Sequence, residues 1–231
     1  MSPQRPLQEL LEATEPAWPA VQRWIAEAKN SVEVLPAEEA QRIQFLVETQ
    51  VTTRSPMGAV IYHTGGLLID QGWLRVLGSG HAKLPRSMPA WNRGRSTTPE
   101  GQPLGFLLIA DDVVGGFFAL DGGALGAGKG EVFYFAPATL RWEPMNGMKY
   151  SQFLPWSFNS NLADFYKSMR WPGWEREVAA LNGEQALSIY PFLCTKEGKN
   201  IANCSRKACP VSEVYSLNVI ELPKQLASRK E

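Results

Sequence analysis

A glycine-rich stretch with the sequence DGGALGAGKGEV, residues 121–132, carries most of the spacing of a nucleotide-binding phosphate loop. Gly123, Gly128 and Lys129 match that pattern, in which backbone amides and a lysine hold the phosphates. The next residue is Gly130, where the motif needs a serine or threonine for magnesium. The segment EVFYFA then predicts a strand, whereas a phosphate loop opens a helix. The stretch therefore predicts a β-hairpin loop and no NTPase activity.

Four carboxylates, Asp111, Asp112, Asp121 and Glu131, lie at the ends of predicted strands. If FLLIADD and GGFFALDGG are neighbouring strands, these side chains can converge, and their hard oxygen atoms suit magnesium or calcium. The alternative is turn chemistry, in which an aspartate beside a glycine or at a strand end accepts hydrogen bonds from nearby amides. The sequence favours turn chemistry, so we predict no bound metal and no cofactor. Asp111, Asp112 and Asp121 remain candidate binding residues.

Two arginines lie in segments that can bind an anion. Arg54 follows two threonines and precedes Ser55 in TTRSPMG, and its planar fork of donors suits phosphate or carboxylate. The alternative, which the sequence favours slightly, pairs Arg54 with a carboxylate of the fold itself. Arg75 lies in GWLRVLGSGH, a predicted strand followed by a Gly-Ser-Gly loop. Ser79 in that loop lacks the Gly-x-Ser-x-Gly elbow, and the chain has only 2 histidines to act as a base, so a hydrolytic triad is disfavoured.

The 8 tryptophans are mostly predicted to pack in the core, since they lie beside apolar runs. Aromatic residues next to arginines also anchor protein interfaces. The RWPGW corner and the PAWNRGR loop, which contains Trp91, are the expected exposed examples. Trp73 and Trp91 are therefore candidate binding residues, together with the arginines and aspartates above.

The elements that must position these residues fall into three regions. Residues 6–49 are predicted to be mainly helical, and residues 51–140 to be rich in strands, including GAVIYHTGGLLIDQGWLRVLGSG, FLLIA, GGFFAL and EVFYFA. Residues 78–105 are predicted to form a long loop. Beyond TLRWEP, residues 150–220 are predicted to mix short helices, one of them closed by Gly183, with one strand, ALSIYPFLC. Strands clustered between helices indicate an α+β fold.

Composition excludes several classes of function. The chain has 231 residues with 23 basic and 23 acidic side chains, and this balance argues against general nucleic-acid binding and against a membrane-surface role. The N-terminal segment lacks the apolar core of a secretory signal. Three cysteines, Cys194, Cys204 and Cys209, are too few for a disulfide framework, and reduced thiols are expected. We therefore expect a cytoplasmic protein without nucleic-acid or membrane partners.

Two longer patterns resemble known families. The segment ADDVVGGFFALDGGALGAGKGEVFYFAPATLRWEPM, followed by YSQFLPWSF, resembles the strand core of the SUKH superfamily, whose helix with an aromatic element would here carry Tyr150, Phe153 and Leu154. With QVTTRSPMGAVIYHTGGLLIDQGWLRVLGSG and WNRGR included, nearly the whole chain resembles an uncharacterised bacterial family, the domain of unknown function numbered twenty-six twenty-five. The segments TTRSPMG and GWLRVLGSGH have no counterpart in the general SUKH pattern.

The SUKH resemblance implies an α+β domain with a central, mainly antiparallel sheet and flanking N- and C-terminal helices. It also implies a protein that binds other proteins, often as an immunity protein that neutralises a toxin, without catalysis. We therefore predict a single domain over residues 1–231 that acts as a non-enzymatic protein-binding module of immunity or regulatory type. The alternative is a small-molecule or anion-binding protein with metal-dependent hydrolytic activity, built on Arg54, Arg75 and the acidic residues.

Overall fold

The main element of the fold is a seven-stranded antiparallel sheet in which each strand pairs with the next one along the chain. The computed structural model describes residues 4–12, 14–98, 102–126 and 128–228. The strands are β1 Val32–Pro36, β2 Thr64–Ile69, β3 Leu74–Leu77, β4 Phe106–Asp112, β5 Phe117–Asp121, β6 Glu131–Ala136 and β7 Arg141–Lys149. A separate antiparallel pair consists of β8 Gln185–Tyr190 and β9 Ser205–Pro210.

Helices precede, interrupt and follow the sheet. They are α1 Leu7–Leu10, α2 Trp18–Ala26, α3 Glu39–Thr49, α4 Pro56–His63, α5 Met88–Asn92, α6 Tyr150–Asn159, α7 Leu162–Phe165, α8 Trp174–Ala179, α9 Val211–Tyr215 and α10 Leu222–Ser228. A π-helical segment, Ser216–Glu221, joins α9 to α10. The predicted α+β class, with a mainly antiparallel sheet and flanking helices, is confirmed. Within the described ranges, no helix is long and apolar enough to cross a membrane.

Both faces of the sheet are covered, which places the core in two layers. Phe117 and Phe118 are adjacent on β5 and therefore point to opposite faces. The ring of Phe118 contacts Phe153 of α6, with centroids 5.1 Å apart. The ring of Phe117 contacts Tyr215 of α9 at 5.0 Å and stacks near Trp91 of α5. One face thus packs against the α6 side, and the other against α5, α9 and the β8–β9 pair.

The predicted hairpin between β5 and β6 is confirmed, since the two strands pair in antiparallel register from Phe117 with Phe135 to Leu120 with Val132. In the connecting loop, Asp121 accepts hydrogen bonds through Oδ1 from the amides of Gly123 and Leu125, at 2.7 and 2.9 Å. The described part of this segment is therefore held by turn hydrogen bonds, and it contains no phosphate-loop helix.

The predicted strand over GAVIYH is wrong, because residues 56–63 form helix α4. Ser55 caps this helix by accepting a hydrogen bond from the amide of Gly58 at 3.0 Å, and Pro56 occupies the first turn. A serine cap followed by proline is a helix-start signal that outweighs the β-branched residues behind it. Gly183 does not close α8 as predicted, since that helix ends at Ala179.

Strands β7 and β9 were not predicted. In β7 the pairing with β6 shifts: Phe133 pairs with Pro144 and Glu131 with Lys149, so β7 contributes more residues than its partner. Asn146 and Gly147 both have positive φ, 50° and 75°. Such a bulge hides the two-residue alternation by which a strand is recognised.

Candidate functional site

A buried ionic cluster joins β3, β4 and the loop that follows β3. Arg75 and Asp111 are paired residues of neighbouring antiparallel strands, so their side chains share one face. Arg75 Nε donates to Asp111 Oδ1 at 2.6 Å, and Arg86 Nη1 donates to Asp111 Oδ2 at 2.6 Å. All three residues are buried. We call Arg75, Arg86 and Asp111 the ionic cluster.

The cluster carries two arginines against one carboxylate. Burial alone raises the pKa of Asp111, but Arg75 and Arg86 together hold that pKa below its usual value. Burial lowers the pKa of Arg75, and Asp111 opposes that effect. Glu184 lies 3.9 Å from Arg86 Nε but is about half exposed, so water screens it. The buried part of the cluster therefore has an excess of positive charge.

Beside the cluster lies a cleft of about 430 Å³, whose lining includes Arg75. We call it the arginine cleft. Its walls combine apolar and polar side chains, including Leu68, Val113, Val178, Leu181 and Asn182. Glu33 and Lys83, which also line it, form an ion pair with a separation of 2.6 Å between Lys83 Nζ and Glu33 Oε1. The cleft is therefore lined by apolar and polar side chains, by the deeply buried cation Arg75, and by the Lys83–Glu33 ion pair, which has no net charge.

Asp112 is adjacent to Asp111 but faces the other side of the sheet, where it organises the β4–β5 turn. Its Oδ1 accepts hydrogen bonds from the amides of Val114 and Gly116, at 3.1 and 2.8 Å, and its Oδ2 accepts one from the Tyr134 hydroxyl at 2.7 Å. Burial raises the pKa of Asp112 to about 6. Any side chain at position 116 would collide with the Asp112 carboxylate and the Tyr134 hydroxyl, so glycine is required there.

The predicted acidic residues do not converge. Asp121 pairs with Phe106, whereas Asp111 pairs with Phe117, so the two aspartates lie at opposite ends of β4 and β5. Five residues of extended strand separate them by about 17 Å. Across the described ranges, no group of three or more His, Cys, Asp or Glu side chains is placed to hold a metal ion. Asp112 and Asp121 both make the turn hydrogen bonds that the sequence favoured.

The remaining predicted site residues lie apart from one another. Arg54 is exposed and pairs with Glu15 at 2.8 Å, as the alternative interpretation expected. Trp73 is fully buried and packs against Tyr166 and Trp174. Trp91 is buried beneath Arg86 and Arg95, whose guanidinium carbons lie 4.7 and 3.8 Å from its ring centroid.

The expectation that two tryptophan segments are exposed is wrong. In RWPGW, Trp171 and Trp174 are only 4% and 9% exposed, and Trp91 in PAWNRGR is 4% exposed. Neighbouring arginines lie over these rings, with Arg206 4.3 Å from the centroid of Trp171. Within the two segments themselves, Arg170 lies over the ring of Trp174 and Arg95 over that of Trp91, so these arginines take part in internal cation–π packing.

Sequence reasoning missed a groove at the β7 edge of the sheet. Its volume is about 220 Å³ and its lining includes Tyr134, Glu143, Met145, Met148, Trp156 and Phe165. We call it the edge groove. The two methionines flank Asn146-Gly147 in the bulge of β7, and Trp156 and Phe165 meet edge to face at 5.1 Å behind them. The Met-Asn-Gly-Met sequence was the available signal, because Asn-Gly with positive φ marks a tight turn.

Comparison with known proteins gives one family and uncharacterised relatives. The model for "Protein of unknown function DUF2625" matches residues 7–214. The chain is 44% identical over 213 residues to an uncharacterised protein of Escherichia coli (strain K12), YbfG, covering 92% of this chain and 95% of that one. It is 38% identical over 218 residues to an uncharacterised protein of Haemophilus influenzae, covering 94% and 95%. No solved structure matches significantly. The chain belongs to the DUF2625 family.

Proposed function

We propose that this protein is a non-enzymatic protein-binding module, of the immunity or regulatory type that the SUKH resemblance implies, and that its partner docks in the edge groove. The observation that carries the proposal is the set of half-buried methionine and aromatic side chains at a sheet edge. Met145, Met148, Trp156 and Phe165 are all intermediate in exposure. Methionine and aromatic residues are enriched in the cores of protein interfaces.

The chemistry of the groove favours docking through side chains over the addition of a strand. Pro144 lacks a backbone donor, and the bulge around Asn146 and Gly147 interrupts the outer edge of β7. Methionine side chains are flexible and polarisable, so they adapt to the shape of an inserted apolar group. The partner therefore inserts an apolar side chain between Met145, Met148 and Trp156.

The charge on the rim of the edge groove restricts the kind of partner further. The charged residue that lines the groove is Glu143, which is exposed and accepts a hydrogen bond from Thr139 Oγ1 at 2.7 Å. An acidic side chain on the rim of an apolar groove favours a basic group on the partner. We expect the docking segment to present an apolar residue next to a lysine or arginine.

The proposal that the protein is not an enzyme is supported by the partners of its buried aspartates, which are all groups of the fold itself. Asp111 is held by two arginines and Asp112 by Tyr134 and two amides. A general base must instead lie within reach of a substrate proton. These carboxylates therefore act in the fold.

Site-specific photo-crosslinking tests the proposal. A photoreactive residue is introduced at Met148, and at Val34 as a matched control, because Val34 is an exposed apolar residue on the opposite edge strand. We expect a single protein to crosslink at position 148 in the native host and not at position 34. The same protein, once purified, should bind Glu143→Lys at least about tenfold more weakly, because the rim charge is reversed.

Two results would overturn the proposal. One is the absence of any protein that crosslinks at position 148 but not at position 34. The other is an unchanged dissociation constant for both Glu143→Lys and a Met145→Asp/Met148→Asp double variant whose melting temperature shows that it is folded. The charge-reversal variant alters an exposed side chain, so its fold is expected to survive.

A further inference from the structure

The edge groove is more than an apolar surface, because its lining combines aromatic rings with an acidic side chain. These residues are Tyr134, Trp156, Phe165 and Glu143. We propose that the groove binds the methylated ammonium group of an N-methylated lysine on the partner protein. The inference rests on the proposed function, since it takes the groove as the docking site and combines in one group the apolar character and the positive charge expected of the docking segment.

The rings of Trp156 and Phe165 form a corner of the groove. Trp156 of α6 and Phe165 of α7 meet edge to face, with their planes 82° apart and their centroids 5.1 Å apart. Two rings at nearly a right angle turn their faces toward a shared space, and both side chains are half-buried. The face of an aromatic ring is the negative side of its quadrupole and attracts a cation. The corner therefore suits a positive group that is held against carbon surface.

Tyr134 and Glu143 add negative potential beside that corner. They are paired residues of β6 and β7, so their side chains lie on one face of the sheet. The Tyr134 hydroxyl is turned inward and donates to Asp112 Oδ2 at 2.7 Å, which polarises the phenol and makes its ring more electron-rich. The ring of Tyr134 lies 5.4 Å from that of Phe165, centroid to centroid. A cation in the groove is therefore attracted both by the rings and by the Glu143 carboxylate.

The lining favours a methylated ammonium over the primary ammonium of lysine. A primary ammonium brings three N–H donors, and each is costly to bury without an acceptor. Met145, Met148 and the rings present mainly carbon and sulfur, and the Glu143 carboxylate already accepts a hydrogen bond from Thr139. A trimethylammonium group has no N–H donor and spreads its charge over its methyl groups. Aromatic cages recognise quaternary ammonium groups in this way.

The size and position of the groove suit the end of a side chain. Its volume of about 220 Å³ lies below the usual range for drug-sized ligands, and it opens at the edge strand β7. A lysine stem can lie along the flexible side chains of Met145 and Met148 while its methylated end reaches the corner. A side chain of a partner protein therefore fits the groove better than a free compound that must be enclosed on all sides.

Titrations of single-residue probes, followed through the ¹³C resonances of the methionine methyl groups, test the inference. The probes are the N-acetyl amides of trimethyllysine, lysine and norleucine, with choline as a free methylated cation. We expect trimethyllysine to shift the resonances of Met145 and Met148 to saturation, but not that of Met88, which is buried in α5 outside the groove. Lysine and norleucine should bind at least about tenfold more weakly, because one lacks the methyl groups and the other the charge. Choline should also bind more weakly, because it lacks the stem.

Variants then locate the site. Phe165→Leu keeps an apolar side chain but removes a ring face, and Glu143→Gln keeps the shape but removes the charge, so each should weaken trimethyllysine binding at least about threefold. The control for the ring is Trp142→Leu, since Trp142 is a half-buried residue of β7 that packs against Phe135 outside the groove. The control for the charge is Glu38→Gln, which alters an exposed glutamate outside the groove. Melting temperatures show which variants are folded, and exposed Glu143 is expected to tolerate its change.

Four results would overturn the inference. They are no binding of trimethyllysine up to tens of millimolar, equal binding of lysine or norleucine, an unchanged Kd in Glu143→Gln and in folded Phe165→Leu, and binding of choline as tight as that of trimethyllysine, which would assign a free cation instead. The titrations need no partner protein, so they fail separately from the photo-crosslinking. A protein that crosslinks at position 148 while trimethyllysine does not bind would leave the proposed docking function intact and overturn only this inference.

Discussion

Asp111 and Asp112 are neighbours in the sequence but have opposite electrostatic environments. Alternation along β4 directs Asp111 to the arginine side of the sheet and Asp112 to the tyrosine side. Two guanidinium groups hold the pKa of Asp111 below its usual value, whereas burial raises the pKa of Asp112 to about 6. The face of the sheet to which each aspartate points therefore decides whether its ionised form is stabilised, as in Asp111, or disfavoured, as in Asp112.

Asp112 gives the protein a stability that falls as pH rises. Because the folded-state pKa of Asp112 is about 6 and the usual pKa of an aspartate carboxyl is 3.8, the folded protein retains a proton that the unfolded chain has lost between these values. The free energy of unfolding should therefore decrease by about 3 kcal/mol through this window as pH rises. In Asp112→Asn this contribution should be absent, as urea unfolding at pH 4 and pH 7 can measure.

The control for that experiment is Asp164→Asn, an exposed aspartate paired with Lys167. Other groups also titrate, so the informative quantity is the difference in pH dependence between each variant and the wild type. Equal pH dependence in Asp112→Asn and the wild type would contradict the argument.

Loss of the Asp111 charge should be strongly destabilising. Asp111→Asn would leave Arg75 and Arg86 buried at 2% and 6% exposure without their shared anion. Breaking a buried pair in this way costs about 3–5 kcal/mol. Urea unfolding at pH 7 measures the loss, and Asp164→Asn, again the exposed control, should change stability by less than about 1 kcal/mol. A loss in Asp111→Asn no larger than in Asp164→Asn would contradict a structural role for the cluster.

At the scale of helices and strands, the sequence predicted the elements whose local residue pattern agrees with the way they pack. β4, β5 and β6 are dense in aromatic and aliphatic residues and are buried on both faces. In α4, a serine–proline start overrides a β-rich composition. In β7, the bulge and an exposed edge remove the alternation that identifies a strand. Missing β7 also meant missing the edge groove.

The candidate site was predictable in part for the same reason. Arg75 and Asp111 come together because β3 pairs with β4. Arg86 lies in the loop after β3, and no local sequence pattern shows that its side chain reaches Asp111. Trp73 and Trp91 were predicted as binding residues and instead lie in the core, where Arg170 stacks on the ring of Trp73 and Arg95 on that of Trp91.

The bulge of β7 depends on Gly147, whose φ of 75° is strained for a residue with a side chain. Gly147→Ala should therefore lower stability by about 1–2 kcal/mol, which lowers the melting temperature by several degrees. Gly147→Asn is the matched control, because asparagine tolerates the left-handed region better than alanine and should cost less. If both variants melt at the wild-type temperature, the bulge does not impose this conformation.

At the scale of the whole molecule, the ionic cluster connects two layers. Arg75 Nη1 donates to the carbonyl of Gln185 at the start of β8, and Arg86 Nε donates to the carbonyl of Gly183 at 3.0 Å. The amide of Leu187 donates to the carbonyl of Val113 at 2.7 Å, just beyond the end of β4. The cluster thus fixes the β8–β9 pair against the central sheet, in addition to neutralising charge.

Weakening that connection should loosen the β8–β9 layer before the sheet. In Arg86→Lys the single ammonium group cannot reach both Asp111 and Gly183 as the guanidinium does, because it lacks separate donors on a planar fork. Hydrogen exchange should therefore accelerate at the Leu187 amide, with little change at the amides of β5, since local opening needs only the contacts of its own unit. The matched control is Arg93→Lys, whose ion pair with Glu48 lies at the surface with Arg93 60% exposed, and it should leave both sets of rates unchanged. Equal acceleration in β5 and β8 would mean that the two layers open together as one cooperative unit, and the cluster would then stabilise the whole molecule and not its second layer in particular.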